Sequence, residues 1–121
     1  MMILKEITPQ QHDAFMTDHP KEHFMQCSLW AEAKRSSGWS AETVGLFDKE
    51  QLLASSLLLY RTIPFLKSKI CYAPRGYIID YKNWDLVKEF TEQLKAYCLK
   101  KNVCYIMVDP DIHLRVYNAN D

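Results

Sequence analysis

Asp109 ends an apolar run, Val103–Val108, and stands just before Pro110. Open α/β sheets gather ligand-binding groups at the carboxyl ends of their strands, which makes Asp109 a candidate base or cation-orienting carboxylate. A plain turn-forming aspartate is the alternative. Arg75 lies in a Pro74-Arg75-Gly76 turn, where a guanidinium and the backbone can approach a ligand together. It closes a polarised stretch: residues 51–79 hold Arg61, Lys67, Lys69 and Arg75 and not one Asp or Glu. Such a stretch could collect phosphate or carboxylate groups, and strand-edge lysines that discourage edge pairing are the competing reading.

Other chemistries find less support. His19, His23 and Cys27 recur every four residues, but Pro20 interrupts the helix that would align them, so a polar loop is expected and no metal. Cys71 and Cys104 sit in apolar runs, where burial raises a thiol's pKa, and both are expected in the core. The four cysteines form no C-x-x-C pair, which suits free thiols in a reducing compartment. Neither a G-x-S-x-G nucleophile turn nor a P-loop occurs.

A chain of 121 residues supports one core. Its 15 basic and 15 acidic side chains exclude a generally basic nucleic-acid binder. The opening MMILKEITPQQHD meets charge too early for a signal peptide. The longest apolar run, LLASSLLLY, is far short of the ~20 residues a membrane span needs. A cytoplasmic protein is expected.

These residues need elements to position them. Residues 2–7 suit a short strand; Thr8-Pro9 caps and opens a helix with Phe15 and Met16 inward, ended by His19-Pro20. Ser28 is the expected cap of a second helix reaching Arg35, with Gly38 as its stop, and places Lys34 beside Trp30. Residues 39–47 and 52–61 predict a hairpin with a four-residue connection at 48–51. A bent link at 62–69 and an extended stretch at 70–79, broken by Pro74 and Gly76, follow. Asn83 opens the longest helix, with Leu86, Val87, Phe90, Leu94, Tyr97 and Cys98 as its buried stripe, and Asn102 suits a left-handed stop. Val103–Val108 fits a strand buried on both faces, and 115–121 should fray. The order β, α, α, β, β, β, α, β describes an α/β (α+β) layer around a mixed sheet, with two early helices, a β-meander, one long helix and a buried strand.

That order resembles the GNAT-like acyltransferase fold. Its CoA site, however, uses a glycine-rich turn, and the corresponding Ala73-Pro-Arg-Gly-Tyr-Ile has one glycine and a proline without an amide donor. No cofactor is expected. More specifically, Ser28-Leu-Trp-Ala-Glu-Ala-Lys34 with Gly38-Trp39, Ser55 to Arg61 with Ile63-Pro64, Tyr72-Ala-Pro-Arg-Gly-Tyr-Ile-Ile-Asp80, and Val108-Asp109-Pro110 together resemble the Fem family of aminoacyltransferases. The resemblance runs from about residue 2 to 112.

The resemblance implies transfer of an amino acid from aminoacyl-tRNA to an amine on the stem peptide of a UDP-linked or lipid-linked peptidoglycan precursor. It implies Lys34 at the precursor's diphosphate, Asp109 near the acceptor peptide, Tyr105 close by, and Arg75 and Arg61 as cleft electrostatics. Asp109 is the candidate catalytic base. Family members are about three times longer, so residues 1–121 read as one GNAT-like domain, the first part of a two-domain protein. Alone it should transfer little, and its exposed half-cleft should favour self-association. A stand-alone N-acetyltransferase and a non-catalytic muropeptide-binding module are the rival readings.

Overall fold

Local signals explain most of the elements. In the computed structural model, which describes residues 2–109, strand β1 (Met2–Ile7) leads to helix α1 (Pro9–Met16) through a complete capping box. The Thr8 hydroxyl accepts from the Gln11 amide at 3.0 Å, and the Gln11 side chain accepts from the Thr8 amide at 2.9 Å. The helix stops at Met16, one turn before the expected His19-Pro20, and its inward pair is His12 and Met16, with Phe15 only half-buried.

A short 3-10 turn (Phe24–Gln26) precedes helix α2 (Ser28–Arg35). Cys27, not Ser28, caps α2. Ser28 instead donates from its hydroxyl to Asp13 at 2.5 Å, tying α2 to α1. Gly38 ends the turn beyond α2 in a left-handed conformation, φ 91°.

Strands β2 (Ser40–Asp48) and β3 (Gln51–Thr62) form the hairpin, with a two-residue turn rather than four. Pairing continues to Asp48 and Gln51 because Lys49 takes the left-handed conformation a tight turn requires, φ 58°. Strand β4 (Lys69–Ala73) returns antiparallel to β3. Helix α3 (Trp84–Leu99) then crosses over to strand β5 (Val103–Val108), which runs parallel to β4. The sheet order is β1-β2-β3-β4-β5, a mixed five-stranded sheet as expected.

The main core lies between this sheet and α3, which contributes Leu86, Phe90, Leu94 and Cys98 against Val44, Leu58, Tyr60 and Cys71. Val87 and Tyr97 are only partly buried. Glu42 fastens the helix to the sheet: its carboxylate accepts from Tyr60 and Tyr97 hydroxyls at 2.9 and 2.7 Å and from the Lys101 ammonium at 2.7 Å. Asn102 ends the α3 turn in the left-handed conformation, φ 62°.

Two expectations fail at β5. The strand is covered by α3 through Val103, Ile106 and Val108, but its other face is open, and Tyr105 and Met107 are exposed. Among the described residues β5 pairs only with β4, so its apolar run does not signal burial on both faces. Cys104 is likewise exposed rather than in the core, because a register shift beside Lys69 leaves it out of the ladder. Cys71 is buried as expected, and its hydrogen bond with Cys98, together with burial, pushes its thiol well above the ordinary range. The expectation for 115–121 lies outside the described residues.

Candidate functional site

The open face of the sheet is the one α2 only partly covers. Strand alternation sends Leu57, Leu59 and Tyr72 to that side, where they pack with Ala31, Trp30, Trp39 and Ala41. Register then orders the face in rows. Arg61, Ile70 and Tyr105 are neighbours across three strands, and Leu59, Tyr72 and Met107 form the next row. Side chains in one row point the same way, so the sheet itself brings Arg61 and Tyr105 to the α2 side.

Lys34 joins this face through an aromatic floor. Its ammonium lies 5.0 Å from the Trp30 ring centroid, and its carbonyl accepts from the Trp39 amide at 3.2 Å. Arg61 stacks over Trp39 at 5.0 Å and donates to the Ser37 carbonyl at 2.9 Å. Trp39 in turn meets Tyr72, with ring centroids 6.4 Å apart. Burial raises the Tyr72 phenol, with the Asp109 carboxylate adding to the rise and the Arg75 guanidinium opposing it. Both ends therefore touch one surface: Lys34 and Arg61 at the α2 end, Arg75 and Asp109 at the carboxyl ends of β4 and β5.

Arg75 and Asp109 form an ion pair at 3.7 Å. Their backbones are linked as well, because the Ala73 carbonyl accepts from the Gly76 amide at 3.2 Å and the Asp109 amide at 3.4 Å. Asp109 is half-exposed, so the pair can meet a ligand. Arg75 is held in a left-handed conformation, φ 59°, which a non-glycine residue adopts only where its surroundings insist.

Those surroundings are a buried polar network that sequence reasoning missed. Gln26, fully buried, donates through its Nε2 to the Pro74 carbonyl at 2.7 Å and the Gly76 carbonyl at 2.8 Å. Its Oε1 accepts from the Leu57 amide at 2.8 Å. His12, also fully buried, donates from Nε2 to the Gln26 carbonyl at 2.8 Å and accepts at Nδ1 from the Ser55 hydroxyl at 2.7 Å, the neutral tautomer that this network fixes. Ser55 pairs through its backbone with Ile78. The turn is thus clamped from within, and its amides are engaged: Gly76 with Ala73, Tyr77 with the Tyr81 hydroxyl, Ile78 with Ser55. Pro74 has none to offer. A pyrophosphate cradle would need those donors free.

Burial holds the His12 pKa below its ordinary 6.5. In the unfolded chain the imidazole takes up a proton near 6.5, while the folded chain resists it. Stability is therefore full above that pH and falls as pH drops toward the folded value, with a slope approaching ~1.4 kcal/mol per pH unit for one proton. Urea unfolding between pH 7.5 and 5 should show this slope, and His12→Gln should flatten it. An equal slope in both proteins would contradict the assignment.

Among the described residues no group of three or more His, Cys, Asp or Glu could hold a metal ion. No helix among them is long and apolar enough to cross a membrane.

Comparisons with known proteins bear on the family and the fold. The profile of the FemAB family matches residues 7–121. A lipid II:glycine glycyltransferase from Staphylococcus epidermidis is 32% identical over 108 residues, which are 89% of this chain and 26% of the relative. One from Staphylococcus aureus is 31% identical over the same shares. The chain thus spans about a quarter of the length of these relatives. Among solved structures, a crystal structure of FemX matches with a TM-score of 0.80 and 30% identity, over 91% of this chain and 27% of that one. A possible acetyltransferase from Clostridium difficile matches 99% of this chain and 84% of its own at a TM-score of 0.59 and 11% identity, a likeness of fold alone.

Proposed function

The chain belongs to the FemAB family, and from that premise we propose that it is the acceptor-binding part of an aminoacyltransferase of peptidoglycan bridge synthesis. The acceptor is an amine on the stem peptide of a precursor carrying a diphosphate, either UDP-linked or lipid-linked. The donor is an aminoacyl-tRNA, engaged by the longer protein of which residues 1–121 form the first GNAT-like domain. The reaction runs in the cytoplasm, where that donor is made.

One observation carries this reading: Lys34 and Arg61 flank one end of the face that has Arg75 and Asp109 at the other, with Trp30, Trp39 and Tyr72 between them. A diphosphate is met by point charge and guanidinium, as Lys34 and Arg61 offer. A peptide ammonium is oriented by a carboxylate, as Asp109 offers, with the Arg75 guanidinium beside it to fix its position. Tyr105 adds an exposed phenol to the same side.

The chemistry asks little more of the protein. The ester of the donor is already activated, so no enzyme nucleophile is needed. The acceptor amine gives up a proton, for which Asp109 is the candidate base, and its nitrogen attacks the ester carbonyl. An amide forms as the ribose hydroxyl leaves. Holding amine and ester together supplies much of the rate. The second half of such a cleft is not part of these 121 residues, so the chain alone should bind acceptor and transfer little.

Calorimetry with a UDP-muramyl pentapeptide tests this. Saturable binding to the chain is expected, reduced at least ~10-fold by Asp109→Ala, the scale of one charge-assisted contact. Binding of acetyl-CoA in place of the precursor would favour an N-acetyltransferase, and absence of precursor binding would sink the reading.

A further inference from the structure

The polarised stretch contains two lysines that the face described above does not use. Lys67 and Lys69 belong to the loop between β3 and β4, residues 63–68 and the first residue of β4. This loop is well defined: the Ile63 amide donates to the Ser68 carbonyl at 3.0 Å across its base, and the Leu66 amide to the Ile63 carbonyl at 3.2 Å. At its apex Phe65 takes a left-handed conformation, φ 69°, rarely seen for a bulky residue. Its ring stands wholly in water, 106% exposed, beside Leu66 at 58%. Folding gains nothing from burial there, and a strained backbone that presents apolar side chains to solvent points to a use outside the fold.

Beside the apex lies a cavity of about 240 Å³ lined by Thr62, Lys67, Ser68, Lys69, Lys101 and Asn102. The Lys69 amide donates to the Asn102 carbonyl at 3.1 Å, which fixes the loop to the turn after α3. Two of the three ammonium groups are held in place. Lys69 lies 5.3 Å from the Tyr60 ring centroid, and Lys101 bonds Glu42 at 2.7 Å. Glu42 offsets one charge and leaves the cavity cationic.

We propose that this loop docks the protein on a bilayer containing anionic phospholipid, with Phe65 and Leu66 entering the acyl boundary and the lysine-lined cavity taking a headgroup phosphate. The coincidence of the two features decides the partner. Cations alone would suit an RNA backbone, but Leu66 has no stacking face and RNA would leave it in water. An apolar apex alone would suit any apolar surface. An aromatic and an aliphatic side chain with lysines one to four residues further along the chain match the depth profile of a bilayer, apolar inside and negatively charged at its surface. The proposal stands on the loop and its lysines and does not need the acceptor reading. Arg61 lies two residues before the loop, so the docked end would be the one assigned to the diphosphate.

The test is co-sedimentation of the 121-residue chain with vesicles of phosphatidylcholine alone and of an equal mixture with phosphatidylglycerol. Binding to the mixture is expected, weaker by roughly 10-fold or more on phosphatidylcholine and weakened by salt. Phe65→Ser with Leu66→Ser should lower it by roughly 10-fold, as should Lys67→Gln with Lys69→Gln. Phe65, Leu66 and Lys67 are exposed and Lys69 is half-buried, and unchanged thermal melting should show that the variants fold. Phe65→Trp should shift its emission to the blue only with the anionic vesicles. Equal binding to both vesicles, no binding, or insensitivity to Phe65 and Leu66 would overturn the proposal. So would binding of tRNA or free inorganic phosphate that abolishes vesicle binding while remaining indifferent to the apex.

Discussion

Replacing Gln26 by Leu should cost on the order of 4 kcal/mol of folding stability, a large share of the ~5–15 kcal/mol typical of a domain. The change keeps the volume and deletes the partner of three buried groups: the Leu57 amide and the Pro74 and Gly76 carbonyls. Each buried group left unpaired costs about 1–3 kcal/mol, and carbonyls lie toward the lower end. Equilibrium urea unfolding, followed by tryptophan fluorescence, measures this. Gln11→Leu is the matched control, since Gln11 also bonds backbone but at the exposed start of α1; it should cost about 1 kcal/mol or less. A loss below about 1 kcal/mol for Gln26→Leu would mean that water replaces the amide and that the clamp on the Pro-Arg-Gly turn is weak.

That clamp also shows where sequence reading stops. Elements with local signals were legible: Thr8-Pro9 for α1, Asn83 with the spaced apolar stripe for α3, Gly38 and Asn102 as stops. Each depends on residues within one or two turns of each other. Gln26 and His12 were not legible, because the partners of Gln26 lie 31 to 50 residues away and those of His12 lie 14 and 43 away, and a polar residue in a His- and Pro-containing stretch looks like a loop. The face of β5 was misjudged for a related reason. An apolar run records what side chains prefer, while the number of covered faces depends on neighbours that no local pattern encodes. Of the candidate site, the Pro-Arg-Gly turn and the strand-end carboxylate were legible as types. Their meeting, like that of Arg61 with Trp39, comes from sheet register. The aromatic floor of Trp30, Trp39 and Tyr72 was visible only as family-like motifs, although the four-residue spacing of Trp30 and Lys34 on α2 did forecast their contact.

Lys34→Ala should weaken binding of a UDP-muramyl pentapeptide by roughly 10- to 100-fold, the equivalent of one hydrogen-bonded charge contact. Position and ligand chemistry act together here. Trp30 fixes the ammonium by a cation–π contact, so little side-chain freedom remains to be lost on binding. The partner is a diphosphate, whose charge is dense enough to make that contact strong. A matched ligand separates this role from general electrostatics: a muramyl pentapeptide lacking the diphosphate should bind wild type and Lys34→Ala equally. Lys34→Arg should recover only part of the affinity, because the broader guanidinium cannot occupy the same place over the indole. Asp109→Ala should show the opposite pattern, weakening both ligands alike, since its partner is the peptide amine. If Lys34→Ala weakened both ligands equally, Lys34 would be acting through the fold of α2 and the diphosphate would have to lie elsewhere on the face, with Arg61 the next residue to replace.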